Sequence, residues 1–273
     1  MKVRIDNVDL TSSSGPNNFA SKLVRYFTNN DIDIVDRDHD VQLSFIQQTR
    51  ESEKQVLRLD GIYFNTKQDW QNQNFHIEKS YNAADRVIVQ SSFNKKLVQK
   101  YFGNRENIDV IHNGTCLDLI EKIKPATINR DSFGSVWFSA SSWRPHKRLS
   151  DNIRLFLEFS GQNDIMLIAG ENAENQIADP RIINLGKLSW ENMISVMKAS
   201  DNFIHLAWLD HCPNVVVDAK ASGCKLYCTD AGGTVELADK EDYVILEEEW
   251  DFEPCELYNP PVLDFNKIKN GQS

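Results

Sequence analysis

The chain has 273 residues, of which 41% are hydrophobic, and it carries a formal net charge of −10. This length and apolar content are enough for two packed domains of roughly 130 residues each. The negative charge argues against a general nucleic-acid binder and, more weakly, against attachment to anionic lipid by charge alone. No apolar run approaches the roughly 20 residues that cross a bilayer, and the N-terminus does not resemble a signal peptide. We expect a cytoplasmic protein, and peripheral membrane contact stays open.

Short apolar segments alternate with amphipathic segments along the chain, which is typical of parallel α/β layers. The predicted strands cover residues 2–8, 32–36, 41–46, 55–60, 86–90, 107–111, 135–140, 164–169, 181–184, 202–206, 225–228 and 242–246. The predicted helices cover residues 17–29, 71–84, 92–102, 148–159, 189–199 and 213–222. We place the domain boundary in segment 117–131, where a turn and Pro125 follow a strand. The predicted domains are residues 1–120 and 121–273.

The five cysteines are odd in number and none forms a Cys-x-x-Cys pair. This pattern favours neither a disulfide framework nor a zinc site. Cys212 precedes a predicted helix start, where a thiolate would be stabilised. We interpret it as a small packing residue.

The most informative stretch is residues 201–236, which begins with an apolar strand and continues into a helix. Pro213 suits the first position of that helix, because its missing N–H would be unpaired there in any case. The backbone N–H groups of Asn214, Val215 and Val216 would then form an anion pocket at the positive end of the helix dipole. The sequence therefore predicts a site for a phosphate group.

Two carboxylates accompany this helix start. Asp210 lies in the loop before the helix, and Asp218 lies about one and a half turns into it, on a face that could reach ribose hydroxyls. Gly223 ends the helix, and Gly232 with Gly233 would let the backbone approach a ligand closely. Diphosphate, ribose and sugar would each have a partner, which is the layout of a nucleotide-sugar site.

Residues 210–236 resemble a segment of the retaining glycosyltransferases of family 4, also called glycosyl transferases group 1. The shared pattern is Asp210-x7-Asp218, then Ala221-Ser222-Gly223, a strand, and Gly232-Gly233-Thr234-Val235-Glu236. Family members carry glutamate at the first two positions, where this chain has aspartate. Residues 84–93 and 111–114 are similar to structural marks of the family's first domain. The resemblance implies an α/β fold of two Rossmann-like doubly wound domains facing a cleft, the GT-B arrangement.

The resemblance also implies which residues hold the donor diphosphate. Lys147 falls on the family lysine, and Ser142 occupies the usual arginine position. Arg144 is the expected substitute, since a guanidinium and an ammonium group together neutralise a departing diphosphate. The alternative interpretation is a solvated basic turn. We expect Arg148 to face solvent.

Other loops match the family in the order in which they occur. Gly170, and Lys187 with Leu188, match loops that line the nucleotide base pocket, where backbone groups would contact a base edge. Gly15 lies in the segment Ser14–Phe19, which resembles the family's glycine-containing first loop near the diphosphate and acceptor. An ordinary strand-to-helix turn is the alternative for that segment.

The segment Asp36–Asp40 contains Asp-x-Asp twice, a motif that binds divalent cations in the other major glycosyltransferase architecture. It lies between two predicted strands, and we favour a solvated loop. No metal site is predicted. The histidine that many family members carry near residue 60 has no clear match, and Asp60 and Tyr63 are candidates for the acceptor side.

These observations predict a retaining, metal-independent glycosyltransferase that needs no cofactor. It would move a sugar from a nucleoside-diphosphate sugar to a saccharide or lipid-linked acceptor. One alternative is a sugar-nucleotide 2-epimerase of the same fold, which would need acid and base groups around C2. The other alternative is a non-catalytic module that binds a sugar nucleotide or glycan, suggested by the two aspartates and the short first domain.

Overall fold

The computed structural model describes residues 1–12, 15–173 and 178–271. Within these residues the chain forms two compact units. Unit 1 contains Met1–Asn113 together with Asp251–Glu256, and unit 2 contains Gly114–Trp250 and the chain from Leu257 onward. The functional division that we expect at residue 120 stays a prediction.

Unit 1 is built on one parallel sheet. Its strands are β1 (Lys2–Asp6), β2 (Asp33–Ile34), β3 (Val41–Phe45), β4 (Gln55–Leu59), β5 (Arg86–Val89) and β6 (Ile108–Val110), and its helices are α1 (Gly15–Asn29), α2 (Trp70–Ala83) and α3 (Ser92–Phe102). The strand order is β2-β1-β3-β4-β5-β6, and every pair is parallel. Because β1 lies between β2 and β3, successive connections leave it in opposite directions, which defines a doubly wound sheet.

The local sequence explains where the helices of unit 1 begin. The Asp69 carboxylate accepts a hydrogen bond from the Asn72 N–H before α2, and the Ser91 hydroxyl accepts one from the Asn94 N–H before α3. These side chains satisfy backbone donors that the first helical turn leaves unpaired. Gly103 ends α3 with a φ of 90°, a conformation that a side chain would disfavour.

Unit 2 is built on a second sheet. Its strands are β7 (Val136–Ala140), β8 (Ile165–Ala169), β9 (Ile182–Gly186), β10 (Asn202–His205), β11 (Lys225–Thr229), β12 (Tyr243–Ile245) and β13 (Ile268–Asn270), and its helices are α4 (Leu117–Lys122), α5 (Leu149–Phe159), α6 (Trp190–Lys198) and α7 (Asn214–Ala221). The strand order is β13-β12-β11-β10-β7-β8-β9, and β13 pairs antiparallel to β12. The chain runs outward from β7 to β9 and then returns to place β10 on the other side of β7. The loops after β7 and β10 therefore diverge at the switch point of the sheet, where ligands bind in doubly wound folds.

The central strands β7, β8 and β10 of the second sheet are buried on both faces, which explains why their sequences are mainly apolar. On one face, Phe138 and Phe203 pack in a cluster with Ile194 of α6 and Val216 of α7. On the other face, Trp137 and Ile204 pack with Phe156 of α5.

The six predicted helices and twelve predicted strands all occur, with helix bounds that differ by two residues at most. Among the described residues, one α-helix, one strand and the short 3-10 helices Pro145–Lys147 and Thr234–Leu237 were not predicted. Helix α4 lies in the segment that we expected to be a linker, and its Ile120 is 3% exposed in the core of unit 2. Strand β13 is short and polar, and its pairing with β12 depends on residues more than 20 positions earlier. Among the described residues, no helix is both long enough and apolar enough to cross a membrane.

Candidate functional site

An ion pair joins the two loops at the switch point of unit 2. Lys147 follows β7, and Asp210 follows β10. The Lys147 Nζ lies 2.5 Å from the Asp210 Oδ2, and the two side chains are only 19% and 14% exposed. Residues that are 63 positions apart in sequence meet here because the carboxyl ends of parallel neighbouring strands share one edge of the sheet.

Two histidines complete the surroundings of the Asp210 carboxylate. The His205 Nε2 lies 2.9 Å from the same Oδ2, and the His211 backbone N–H donates to Oδ1 over 3.0 Å. Burial by itself would raise the pKa of Asp210, but the charge of Lys147 and the bond from His205 outweigh it and hold that pKa well below its usual range. The carboxylate is therefore ionised and fixed in one orientation.

The His146 and His205 side chains near this ion pair are buried, and His211 is partly buried. Burial lowers the pKa of His205 against the opposing effect of Asp210, and it lowers the pKa of His211 to about 4. Burial, reinforced by the charge of Lys147, lowers the pKa of His146 to about 3. The His146 ring stacks on Tyr258, with centroids 5.4 Å apart. These histidines are uncharged at neutral pH, so Lys147 supplies the positive charge next to Asp210.

A side chain at position 232 would clash with the backbone of Asp210, which explains the glycine there. The φ of Gly232 is 132°, and a Cβ built on it would lie 2.6 Å from the Asp210 carbonyl oxygen. The Gly233 N–H donates to that same carbonyl over 2.7 Å. We expected these glycines to let backbone approach a ligand. The structure shows that they let the loop after β11 approach and hold the backbone of Asp210.

The two arginines beside Lys147 differ in environment. Arg144 is exposed, precedes the short 3-10 helix Pro145–Lys147, and makes no ion pair within the described part of the chain. Arg148 is 3% exposed and makes a two-pronged ion pair with Glu247, with distances of 2.8 and 2.7 Å. It also donates to the Pro261 carbonyl over 2.8 Å. The expectation that Arg148 faces solvent was wrong, because its partners lie far away in sequence and local pattern does not reveal them.

Helix α7 begins one residue later than predicted. Pro213 is the N-cap and Asn214 is the first helical residue. The Val216 N–H donates to the Pro213 carbonyl over 3.0 Å, so it is engaged within the helix turn. The Val215 N–H has no hydrogen-bond partner among the described residues. The Val215 amide is therefore a candidate for anion binding, and anion binding by the Asn214 amide stays a prediction.

Asp218 lies inside α7 and is 2% exposed. Its Oδ2 accepts a hydrogen bond from the Trp190 indole Nε1 over 2.9 Å. Trp190 is the first residue of α6, so the bond fixes the carboxylate against a neighbouring helix. A ribose contact by Asp218 stays a prediction, and it would have to coexist with the indole bond.

The residues predicted for the base pocket follow β8 and β9 at the same edge of the sheet. Gly170 has a φ of 123°, and a Cβ there would lie 1.7 Å from the Ser141 carbonyl oxygen. Its N–H donates to the Gly186 carbonyl over 2.8 Å. Lys187 forms an exposed ion pair with Glu171 over 2.6 Å, and Leu188 packs against the core. The structure thus gives Gly170 a packing role whether or not a base binds beside it.

In unit 1, Gly15 is the first residue of α1 and is exposed, while Ser14 of the same predicted loop lies outside the described residues.

Asp36 pairs with the Arg50 guanidinium, which also reaches Asp6. The described part of the chain contains no group of three or more His, Cys, Asp or Glu residues placed to hold a metal ion.

Sequence reasoning did not identify His205 or Trp190 as partners of the two aspartates. A signal for His205 was present, because it is a polar residue between the apolar Ile204 and Leu206. A buried polar side chain needs a hydrogen-bond partner, and Asp210 is the first carboxylate after His205 in the sequence.

Two doubly wound, mainly parallel sheets in one chain define the GT-B class of fold. No protein-family model matches the chain, and no curated protein matches it in sequence. Solved structures of GT-B proteins do match its fold, and the predicted fold class is confirmed by them.

Three such structures illustrate the likeness. HepE from Anabaena, in complex with UDP-glucose, has a TM-score of 0.66 at 15% identity, and the match covers 91% of this chain and 86% of that chain. Sucrose-phosphate synthase from Thermosynechococcus elongatus has a TM-score of 0.63 at 12% identity, with coverage of 89% and 67%. WaaG, a glycosyltransferase involved in lipopolysaccharide biosynthesis, has a TM-score of 0.62 at 11% identity, with coverage of 92% and 87%.

Proposed function

We propose that this protein is a retaining glycosyltransferase, similar to family 4, that transfers a sugar from a nucleoside-diphosphate sugar to a saccharide or lipid-linked acceptor. The observation that carries the proposal is the buried Lys147–Asp210 ion pair at the switch point of unit 2. It places a cation, a carboxylate and the start of α7 at the edge where doubly wound sheets bind ligands. The GT-B fold supports the same conclusion.

The departing diphosphate would be stabilised by Lys147, Arg144 and the amides of Asn214 and Val215. Arg144 is exposed and has no ion pair among the described residues, so it can turn toward a phosphate. Positive groups placed where negative charge develops stabilise the transition state more than the intact donor. The exposed guanidinium and the fixed ammonium would thus act together on the leaving group.

Asp210 would have two roles. Its low pKa keeps it an acceptor for a hydroxyl of the donor sugar, and its bond to Lys147 holds the ammonium near the phosphates. A bound diphosphate would add to the ligands of Lys147, since an ammonium group has three N–H donors. His205 would help to hold the same oxygen of Asp210 in place.

Retaining transfer requires the acceptor to attack from the face that the diphosphate leaves. The sugar passes through an oxocarbenium-like state, and the departing phosphate oxygen takes the proton of the acceptor hydroxyl. No separate general base is then needed. The protein acts by positioning the reactants and stabilising charge.

A uridine nucleotide is the donor to test first. HepE, whose fold is similar, was solved with UDP-glucose, with UDP, and with UDP and glucose. We propose that Gly170, Lys187 and Leu188 contact the base and Asp218 the ribose. A contact of Gly15 of unit 1 with the donor is proposed from the family resemblance alone.

The proposal is tested by incubating the protein with UDP-glucose and a panel of saccharides, with and without chelator. We expect a glycoside whose anomeric configuration matches that of the donor, formed equally well with EDTA, because cationic side chains replace a metal ion at the diphosphate. Transfer that EDTA abolishes and Mn²⁺ restores would contradict metal independence. An epimerised sugar nucleotide formed without acceptor would indicate the epimerase, and donor binding without turnover would indicate a binding module.

A further inference from the structure

The backbone of unit 2 takes up a left-handed conformation directly after Lys147. Arg148 has a φ of 53° and a ψ of 49°, and it joins the short 3-10 helix Pro145–Lys147 to α5. Glycine adopts this conformation freely, whereas the Cβ of any other residue crowds the following carbonyl oxygen. Arginine is therefore unfavourable for the backbone at this position, and the contacts of its side chain have to compensate.

The Arg148 side chain is enclosed and only 1% exposed. Each of its two terminal nitrogens donates to one oxygen of Glu247, whose side chain is 5% exposed. One of these nitrogens also donates to the Leu206 carbonyl over 3.3 Å, and the other donates to the Pro261 carbonyl. A two-pronged pair fixes a guanidinium in direction as well as in distance. Glu247 therefore aims Arg148 at the two backbone carbonyls.

The bond to Leu206 connects the two loops of the candidate site. Leu206 follows His205, which ends β10 and contacts the Asp210 carboxylate. Arg148 follows Lys147 in the chain. One guanidinium thus links the loop that carries the ammonium group to the loop that carries the carboxylate.

Asn152 of α5 makes a second connection between the same two loops. Its side chain is fully buried, and its amide donates to the Lys147 and Arg148 carbonyls over 3.1 and 2.6 Å. Its Oδ1 accepts from the Leu206 N–H over 3.3 Å. Both backbone polar groups of Leu206 are therefore bound by side chains from the segment that follows Lys147.

Hydrogen bonds between the strands do not reach the two loops. The pairing of β7 with β10 joins Trp137 to Asn202 and Phe138 to Phe203, and both loops lie beyond these pairs. Neighbouring strands diverge at the switch point of a doubly wound sheet, which opens the space where a ligand binds. Side chains that bridge this opening, with Arg148 among them, therefore set the distance between the loops.

We propose that Arg148, oriented by Glu247, is a positioning residue that places Lys147 relative to Asp210 and so shapes the diphosphate site. This inference rests on the proposed glycosyltransferase function, because that function supplies the diphosphate. Arg148 is enclosed by protein, so it acts on the ligand through the loop that carries Lys147.

The test compares Arg148→Met, the double variant Arg148→Met with Glu247→Leu, and a control, Lys220→Met, in the full chain. Arg148→Met keeps the Cβ but removes every bond of the guanidinium, and it leaves Glu247 buried without its cation. The double variant removes that charge as well, and a buried ion pair replaced by apolar residues commonly leaves a protein folded. Lys220→Met is a matched control, because Lys220 binds the buried Asp242 over 2.6 Å in the last turn of α7.

Calorimetry with UDP and with UMP measures the preference of each protein for a diphosphate, after its melting temperature shows that it is folded. We expect both Arg148 variants to reduce the ratio of UDP to UMP affinity by about fivefold, as for the loss of one ordinary hydrogen bond. UMP affinity should change by less than about twofold. Lys220→Met should lower the melting temperature but keep the ratio of the parent, because it leaves the bridged loops intact.

A parent-like ratio in both Arg148 variants would overturn the inference and leave the proposed function intact. Recovery of the ratio in the double variant would also overturn it, because the loss would then come from the unpaired charge of Glu247. An equal loss in Lys220→Met would overturn it too, by showing a general loosening of unit 2. If Arg148→Met does not fold, the double variant decides. If the unaltered protein binds neither nucleotide, the proposed function fails and the inference fails with it.

Discussion

The two units each bury an aspartate beside a basic side chain at the carboxyl edge of a sheet, yet the two carboxyl groups have opposite electrostatics. The pKa of Asp210 in unit 2 is held well below its usual range, whereas the pKa of Asp60 in unit 1 is raised. Burial favours protonation in both cases. The difference lies in the partners.

Lys147 and His205 both converge on one oxygen of Asp210, and a backbone N–H serves the other oxygen. Arg58 and Gln90 serve one oxygen of Asp60 and leave the second without a partner. The attraction of a single cation that also binds another side chain does not offset the free-energy cost of removing a carboxylate from water. Asp210 is thus arranged as a permanent anion, whereas the burial of Asp60 outweighs the effect of its partners and raises its pKa.

The largest effect should follow from Asp210→Asn. The change removes the anion that holds Lys147 and faces the donor sugar, so we expect transfer to fall by about 100-fold, the size seen when one charge-stabilising group is lost from a site. Affinity for the free nucleotide should stay near that of the parent, and Asp210→Glu should keep part of the activity. Steady-state kinetics and calorimetry measure both quantities. Full activity in Asp210→Asn would show that this carboxylate serves only the local structure before α7.

Alanine at Arg144 or at Lys147 should have the next largest effect. Each cation acts more strongly on the departing diphosphate than on the intact donor, so kcat should fall by about tenfold or more while the donor KM changes less. Kinetics over a range of donor concentrations separates the two constants. A rise in KM with kcat unchanged would show that the pair merely binds donor.

Asp218→Ala should weaken binding of free UDP by about 1–3 kcal/mol if the carboxylate accepts hydrogen bonds from ribose. The structure requires a control, because Asp218 also accepts from Trp190. Trp190→Phe removes that bond and leaves the carboxylate in place. Calorimetry should show a larger loss for Asp218→Ala than for Trp190→Phe. Equal UDP affinity in the parent and in a folded Asp218→Ala protein would exclude the ribose role.

The smallest effects are changes of folding stability with pH. They sharpen the comparison of Asp210 with Asp60, because the two carboxyl groups should change the stability in opposite directions. The folded pKa of Asp210 lies below the unfolded value of about 3.9, so its stabilising contribution is present above that pH and is lost as pH falls. The folded pKa of Asp60 lies above the unfolded value, so its contribution is lost as pH rises through about 4 toward the folded pKa.

Melting temperatures of the parent, Asp210→Asn and Asp60→Asn between about pH 3.5 and 7, a range from about half a unit below to about three units above the unfolded pKa, measure these contributions. The advantage of the parent over Asp210→Asn should shrink on acidification, and its advantage over Asp60→Asn should shrink as pH rises. Each group contributes at most about 1.4 kcal/mol per pH unit. Slopes of the same sign for both variants would contradict the assignment of opposite electrostatics.

Much of this arrangement could be predicted from the sequence. Alternating apolar and amphipathic segments placed the strands, and parallel strands bring the residues after them to one edge, so Lys147 and Asp210 could be expected near each other. Ion-pair and hydrogen-bond partners that lie far away in the sequence could not be predicted. Arg148 binds Glu247 across 99 positions, and its burial follows from that pairing. Helix α4 is too short for a helical period to be visible in its sequence.

The central claim is that Lys147 and Asp210 mark a diphosphate site, and the affinities of UDP and UMP test it most directly. Calorimetry with both nucleotides on the parent and on Lys147→Ala isolates the contribution of the second phosphate, with UMP as the internal control. We predict that the parent prefers UDP and that Lys147→Ala reduces this preference by about tenfold, or about 1.4 kcal/mol, while UMP affinity is unchanged. The same ratio of UDP to UMP affinity in both proteins would contradict the claim.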